Sequence, residues 1–217
     1  MKPEIQALGI VLLGSFNPKI FHPAWFAANG LIGKLEGDAI EVEILTSDIT
    51  VLHLDWLRLE TTQNRFTATT EQEPYFEALQ DLVVGTFDLL NHTPVHSLGI
   101  NHSCHFRMKS EEDWHKFGHM LAPKEPWDGI LEKPGMLRTE MRGIRNDGCL
   151  GNIKVRVEPS ARVDYGVYIH VNDHYEIRDK DNVMGCNEII DILNAHKKKS
   201  IDRARDIADL ILKKSGG

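Results

Sequence analysis

Histidine and cysteine side chains near the middle of the chain have the types and the spacing to bind a metal ion. His102 and Cys104 lie two residues apart, and His115 and His119 lie four residues apart on a predicted helix, where they share one face. Imidazole and thiolate are the ligands that zinc prefers, and a further ligand could complete a tetrahedral site. Lys116 stands where a zinc protease of the HExxH type has glutamate. The four residues are candidate metal ligands, and solvated or hydrogen-bonded histidines are the alternative.

A second candidate motif is GSFNP at residues 14–18, followed by His22. It resembles the phosphate-binding segment of nucleotidyltransferases that transfer adenylyl groups. In that family the histidine usually lies five residues after the proline, whereas His22 lies four residues after Pro18, and the downstream phosphate motif is missing. The alternative is a turn that ends a strand, with His22 capping a helix. ATP binding would favour the adenylyl-transfer interpretation.

Carboxylates beside a histidine could act as an acid and a base. Asp173 and Glu176 flank His174, but the alternation around them favours a strand end with outward polar residues. The chain has no serine-hydrolase elbow, phosphate-binding loop, dinucleotide fingerprint or kinase signature. Because no catalytic set is complete, we favour a protein without catalysis and predict no cofactor.

Basic and aromatic residues alternate with apolar ones along three predicted strands of the second half, at 137–145, 151–158 and 165–177. The outward positions are Arg138, Arg142, Lys154, Arg156, Tyr168 and His170. The opposite positions, which we expect in the core, are Ile153, Val155, Val157, Val167, Ile169 and Val171. An exposed face with arginine, tyrosine and histidine suits an acidic or planar partner, and a face charged only for solubility is the alternative.

Two segments 90 residues apart resemble each other: LGIVLLGSF at residues 8–16 and LGINHSCHF at residues 98–106. A tryptophan on a short predicted helix follows each segment, Trp25 in the first and Trp114 in the second. We interpret this as an internal duplication with repeats at 1–92 and 93–217, packed closely enough to act as one domain. Coincidence in an ordinary α+β domain is the alternative.

Each repeat is predicted to contain a strand, a helix, three strands and a second helix. In the first repeat, residues 48–60 and 65–70 are predicted as single strands, and a helix with an apolar stripe follows Pro74. In the second, Ser110 is predicted to cap a helix, and residues 187–213 form the last helix. Side by side, the repeats would form one curved antiparallel sheet with helices on one face. This α+β topology resembles the saddle of the TATA-box-binding protein, and residues 215–217 are predicted to be a flexible tail.

Composition and charge exclude several classes of protein. Apolar content of 41% and charged content of 26% are ordinary for a globular protein, and no apolar run is long enough to span a membrane. Of the net charge of −7, residues 1–90 carry −8 and the remainder +1, so general nucleic-acid binding is not expected. Three widely spaced cysteines and the absence of a signal-peptide pattern predict a cytoplasmic protein.

Three strings are specific enough to carry a resemblance over most of the chain: FNPKIFHPAWFAANGLI, EEDWHKFGHMLAPKEPW and VRVEPS with GVYIHVNDHYE after it. They resemble a group of bacterial proteins of about this length, and no reaction comes with that resemblance. We therefore expect a non-catalytic binding or assembly protein that engages a protein partner, including itself as a homodimer, through an open sheet face or its helices. A metal-dependent hydrolase or nuclease that uses the histidine-rich centre is the alternative.

Overall fold

One antiparallel sheet runs through the whole computed structural model, which describes residues 1–178 and 184–214. Its nine strands are β1 (Ile5–Gly14), β2 (Glu41–Leu45), β3 (Ile49–Leu54), β4 (Leu57–Thr62), β5 (Arg65–Thr70), β6 (Val95–Arg107), β7 (Thr139–Ile144), β8 (Gly151–Pro159) and β9 (Gly166–Glu176). The α-helices are α1 (Pro23–Ala28), α2 (Lys34–Asp38), α3 (Phe76–Leu89), α4 (Glu111–Leu121) and α5 (Asn187–Lys214). The predicted α+β class is confirmed, and the predicted tail at 215–217 lies outside the described residues.

The strand order is β2-β3-β4-β5-β1-β6-β9-β8-β7, and every neighbouring pair is antiparallel. The central pair is β1 with β6, in which Ile10 lies opposite Ile100 and Leu12 lies opposite Leu98. The first half of the chain extends the sheet on one side of this pair and the second half on the other. The two ends of the sheet are therefore β2 and β7.

The prediction of a single strand over residues 48–60 is wrong, because the chain turns at Asp55 and Trp56 and returns as β4. The first half thus has four strands after its short helices, and the second half has three. Asp55 is a residue type common in turns, but the turn has no glycine, proline or asparagine beside it. It is stabilised by packing instead, since the Trp56 ring stacks on Tyr75 with the centroids 5.0 Å apart.

One face of the sheet carries the main core. Leu8, Ile10 and Leu12 of β1 are fully buried, and α3 packs on the same core through its predicted stripe. The buried members of that stripe are Phe76, Leu79, Val83 and Phe87. Phe87 meets Phe66 of β5 edge to face, with the ring centroids 5.0 Å apart. The predicted stripe is therefore confirmed for these four residues, and its fifth member, Leu90, caps the end of α3 half-buried against the same core.

A second apolar cluster lies under the other half of the sheet. It joins Phe106 of β6 and Ile169 of β9 to Phe117 of α4 and to Ala204 and Leu212 of α5. The six residues predicted to face the core on β8 and β9 belong to this cluster or pack against it. The prediction of their orientation is confirmed.

Two helix starts follow their predicted caps. The Ser110 hydroxyl accepts the Asp113 backbone N–H at 3.1 Å at the start of α4. At the start of α1, His22 Nδ1 accepts the Trp25 backbone N–H at 3.3 Å. The segment after β1 thus has the strand-ending turn and helix cap that sequence analysis offered as the alternative to a phosphate-binding motif.

The two edge strands differ in character. In β2 the pairing with β3 shifts register between Val42 and Ile44, so this edge is irregular. In β7 all six residues pair with β8 in an uninterrupted register. Within residues 1–178 and 184–214, no helix has the length and apolar content needed to cross a membrane.

Candidate functional site

Four charged side chains form a cluster that joins the β7–β8 connection to the sheet and to α5. Arg145 and Asp147 lie in the connection, Asp173 lies on β9 and Arg203 lies on α5. The Arg145 guanidinium donates to both carboxylates, and its Nε donates to Asp147 Oδ1 at 3.0 Å. Arg203 donates to the same two carboxylates at 2.7 Å each. In this ion cluster each arginine bridges both aspartates.

Tyr175 packs against one side of the ion cluster. The Arg145 guanidinium lies 3.7 Å from the centroid of the Tyr175 ring, a cation–π contact. The Tyr175 hydroxyl donates to Asp173 Oδ2 at 3.2 Å. Burial, reinforced by the Asp173 carboxylate, raises the pKa of Tyr175 to about 12, so the hydroxyl stays a donor. The side chains of Arg145 and Asp173 are each 1% exposed, and two positive charges balance two negative ones.

Asp147 is held as an anion. Burial would raise its pKa, but hydrogen bonds from Arg145 and Arg203 outweigh burial and hold the pKa of Asp147 well below its usual range. Asp147 Oδ1 also accepts the Cys149 backbone N–H at 3.3 Å. The ion cluster therefore fixes the position of the residue two places further along the connection.

Cys149 lies beside His196 of α5. The distance from Cys149 Sγ to His196 Nε2 is 3.5 Å, and one oxygen of Asp147 lies within 4.8 Å of both atoms. In the described part of the chain, this is the one group of three potential metal-ligating side chains. Sequence reasoning missed it, because 47 residues separate the cysteine from the histidine.

As a nucleophile and base, Cys149 and His196 are incomplete. Catalytic thiols pair with a base whose second nitrogen is oriented by a further group. His196 Nδ1 is buried and has no hydrogen-bond partner among the described residues. Asp147, the carboxylate nearest to Cys149 in the sequence, already accepts hydrogen bonds from the two arginines and from the Cys149 backbone N–H. The arrangement therefore does not favour covalent catalysis.

A pocket of about 320 Å³ adjoins the thiol and the imidazole. Besides Cys149 and His196, its charged lining residues are three carboxylates and one guanidinium: Glu176, Glu188, Asp191 and Arg178. Glu188 accepts the Arg178 backbone N–H with both oxygens at 3.2 Å, so the pocket wall is ordered by its own residues. The pocket is acidic and open to solvent.

The structure does not bring the four predicted metal ligands into a group of three or more within the described residues. His102 and Cys104 are both buried in the core, with Cys104 Sγ 3.7 Å from His102 Nδ1. His115 and His119 lie exposed on α4 and pair with carboxylates of Glu111 and Glu125. Metal binding by these four residues stays a prediction.

Burial keeps the inner two of these residues uncharged. Removal from water, with a smaller effect of Arg205, lowers the pKa of His102 to about 4. Burial raises the pKa of the Cys104 thiol to about 12. The His102 ring also meets Phe76 edge to face, with the centroids 5.9 Å apart. These two side chains have the environment of core residues.

Five of the six predicted partner-binding residues lie on the face of the sheet opposite to the apolar clusters, and the sixth, Arg138, directly precedes β7. Arg142 pairs with Lys154 across β7 and β8, and Arg156 pairs with His170 across β8 and β9. The Arg156 guanidinium lies 5.3 Å from the centroid of the Tyr168 ring. Burial, with Arg156 adding to it, lowers the pKa of His170 to about 4, so this histidine adds no charge at neutral pH.

Carboxylates interrupt this basic face. Glu158 lies 3.7 Å from Arg156, and Glu140 lies 3.8 Å from Arg138. The face is therefore mixed in charge, and its role in binding stays a prediction.

Asp173, which was predicted to point outward beside His174, points instead into the ion cluster. Glu176, the other suggested partner, has its Oε1 3.6 Å from His174 Nε2, so this pair of the suggested acid and base group is brought together.

Exposed apolar side chains concentrate around β7. Among the described residues, seven of the sixteen exposed large apolar side chains lie within residues 127–150. They are Trp127, Ile130, Leu131, Leu137, Met141, Ile144 and Leu150. Met141 is 67% exposed and Ile144 is 94% exposed, although both lie in a strand. Because Met141 and Ile144 are three positions apart in β7, their side chains lie on opposite faces of the sheet beside its outer edge.

A groove of about 390 Å³ lies next to this region, between α4 and residues 133–136, which lead into β7. Its apolar lining includes Trp114, Phe117 and Met136. His115 and His119 stand among its lining residues. The groove, the exposed apolar side chains and the outer edge of β7 are thus close together in the chain.

No protein-family model matches this chain, and none of the curated proteins compared with it matches.

Replacing Asp173 with asparagine is expected to destabilise the fold by about 3–5 kcal/mol, because the buried Arg145 and the half-buried Arg203 would be left with one carboxylate. Urea unfolding followed by circular dichroism measures this loss. Asp206→Asn, at an exposed position on the same helix as Arg203, is the matched control and should change stability by less than about 0.5 kcal/mol. A cost below about 1 kcal/mol for Asp173→Asn would show that the ion cluster is not a buried network.

The lowered pKa of His102 predicts a pH dependence of stability. Between its ordinary value of 6.5 and about 4, the unfolded chain binds a proton that the folded chain does not, so stability falls as the pH falls through this range. The full effect approaches about 3 kcal/mol. In His102→Gln the decline should become shallower, while the exposed His115→Gln should keep the wild-type profile. Equal profiles for wild type and His102→Gln would contradict the assignment.

Proposed function

We propose that this protein is a non-catalytic binding and assembly protein whose partner is a second copy of the chain, paired through the outer edge of β7. The observation that carries the proposal is the coincidence of that edge with the exposed apolar side chains of residues 127–150. Among the described residues, no group orients the buried His196 Nδ1, so the pair of Cys149 and His196 favours binding over catalysis.

An edge strand offers a row of N–H and C=O groups to another strand, so proteins usually blunt it. β7 contains no proline and no bulge, and its pairing with β8 runs over its full length. Met141 lies on the same face as its cross-strand partner Val155, toward the apolar cluster. A second strand added at this edge would cover the exposed Met141 side chain.

The charges of β7 specify one register for such a pair. In an antiparallel pair of two β7 strands centred on Met141, Glu140 of each copy lies opposite Arg142 of the other. Two opposite-charge pairs form in that register, each worth about 0.2–1 kcal/mol. Shifting the centre to Glu140 or to Arg142 places like charges opposite each other. The charges of β7 are therefore complementary in the register centred on Met141. A twofold axis through this point relates the two copies of the strand.

The other edge does not share this property. In β2 an antiparallel pair centred on Val42 would place Glu41 opposite Glu43 twice, and the β2–β3 register shifts between Val42 and Ile44. Glu43 is also paired with His53 at 2.6 Å. Like charges and an irregular backbone protect this edge from pairing with itself.

In a dimer that pairs two β7 strands, the predicted partner-binding residues of both copies would lie on one continuous surface. Arg142 and Lys154 lie next to the shared edge, so the mixed-charge faces of both copies would continue into one another.

An acidic or planar partner on that face remains a proposal. A cytoplasmic location is also a proposal, and the free cysteines Cys104, Cys149 and Cys186 favour it. Similarity to the bacterial group is also retained as a prediction.

The internal duplication and the saddle-like topology are likewise proposals. They are supported by the central strand pair, in which Ile10 faces Ile100. These two residues are 90 positions apart, the same offset that relates the two similar segments. A duplication would therefore place its pseudo-twofold axis at this pair.

The metal-dependent hydrolase or nuclease remains the second candidate function. The observation in its favour is that His115 and His119 line the groove beside α4. Detection of a metal-dependent cleavage activity that is lost in His119→Gln would favour it over the assembly role.

Reversing one charge of β7 is expected to weaken the dimer. Glu140→Arg would place like charges opposite each other twice, and Arg142→Glu would do the same with carboxylates. Each single variant should raise the dimer dissociation constant about tenfold or more, and the double variant Glu140→Arg with Arg142→Glu should restore it. Sedimentation velocity over a range of protein concentrations measures the constants.

Glu77→Arg supplies the matched control, because it makes the same charge change at an exposed position on α3, which is not an edge strand. It should leave the dissociation constant unchanged. A wild-type chain that stays monomeric at all concentrations would overturn the proposal. So would a double variant that dimerises no better than either single variant.

A further inference from the structure

We propose that Cys149 and His196, with Asp147 beside them, bind a divalent cation that favours sulfur and nitrogen ligands, of which Zn²⁺ is the prime example. The site lies at the β7–β8 connection and α5, and it shares no residue with the four predicted ligands in the centre of the chain. It does not depend on the proposed dimer.

The spacing of the two anchoring atoms fits a tetrahedral metal centre. Zinc bonds of roughly 2.3 Å to sulfur and 2.1 Å to nitrogen, at a tetrahedral angle, place the two ligand atoms about 3.6 Å apart. The distance between Cys149 Sγ and His196 Nε2 is 3.5 Å. Both side chains therefore already stand at the separation that a shared ion requires.

Asp147 supplies the third potential ligand. One of its carboxylate oxygens lies within 4.8 Å of both the sulfur and the imidazole nitrogen. Its Oδ1 accepts the Cys149 backbone N–H at 3.3 Å, which holds the carboxylate next to the thiol-bearing residue.

The ion cluster presets the distance between the two anchoring residues. Cys149 follows Asp147 by two positions, and Arg203 lies on the same helix as His196. Because Arg203 binds Asp147 at 2.7 Å, the connection is tied to α5 next to His196. Binding would then require little ordering of the chain, which lowers its entropic cost.

The adjoining pocket favours a cation and leaves room for its remaining ligands. Three carboxylates and one guanidinium line it, so its charged groups sum to a negative field around the thiol and the imidazole. Asp191 and Glu188 stand on the first turns of the same helix as His196. On binding, the Cys149 thiol gives its proton to solvent, and the thiolate and the neutral imidazole become ligands.

Titration of purified, chelator-treated full-length protein with Co²⁺ tests the site, because a cobalt–thiolate bond produces a charge-transfer absorption that carboxylate or histidine ligands alone do not. We expect one Co²⁺ per chain with this absorption, displaced by Zn²⁺. Cys149→Ser should abolish the absorption, and His196→Gln should weaken Zn²⁺ binding at least tenfold in competition with a chromogenic chelator.

Cys104→Ser and the double variant His115→Gln with His119→Gln are the matched controls and should bind as wild type. A readout that needs no variant is alkylation of the native protein, in which Zn²⁺ should protect Cys149, identified by mass spectrometry. No stoichiometric binding at micromolar metal, or binding that Cys149→Ser leaves intact, would overturn the proposal. Loss of binding in the α4 double variant would assign the metal to the other histidines instead.

Discussion

The antiparallel pairing of β1 with β6 is the constraint on which the rest of the molecule depends. It joins the two halves of the chain into one sheet, with Ile10 facing Ile100 at its centre. Once this pair forms, the alternation of each strand decides which residues enter the two apolar clusters and which remain on the opposite face. It also decides that β2 and β7 become the outermost strands. An open sheet has two such edges, and each has to be protected or used.

The ion cluster is the second organising interaction. Its charges are buried, so its value lies less in net stability than in the single arrangement it allows. Arg203 ties the β7–β8 connection to α5, while Arg145 and Tyr175 tie it to the sheet. The same contacts bring Cys149 to within 3.5 Å of His196. An electrostatic feature that orders a connection thus also creates the surroundings of the proposed metal site.

Local signals in the sequence predicted the parts of the structure that depend on local rules. The alternation of β8 and β9, the apolar stripe of α3 and the Ser110 cap all follow from residue type and spacing. The turn at Asp55 and Trp56 was missed because the indole packs on Tyr75, a contact that spacing does not reveal. Arg145, Arg203 and the Cys149 pair were missed for the same reason, since they meet only when α5 packs on the sheet.

Dimerisation through β7 is tested most directly by amide hydrogen exchange of the wild-type chain at low and high protein concentration. If two β7 strands pair, the amides of residues 139–144 that face away from β8 become hydrogen-bonded only in the dimer. We predict that their exchange slows as concentration rises, while exchange in residues 41–45 of the other edge stays constant. Fast exchange in β7 that does not change with concentration would contradict the proposed assembly.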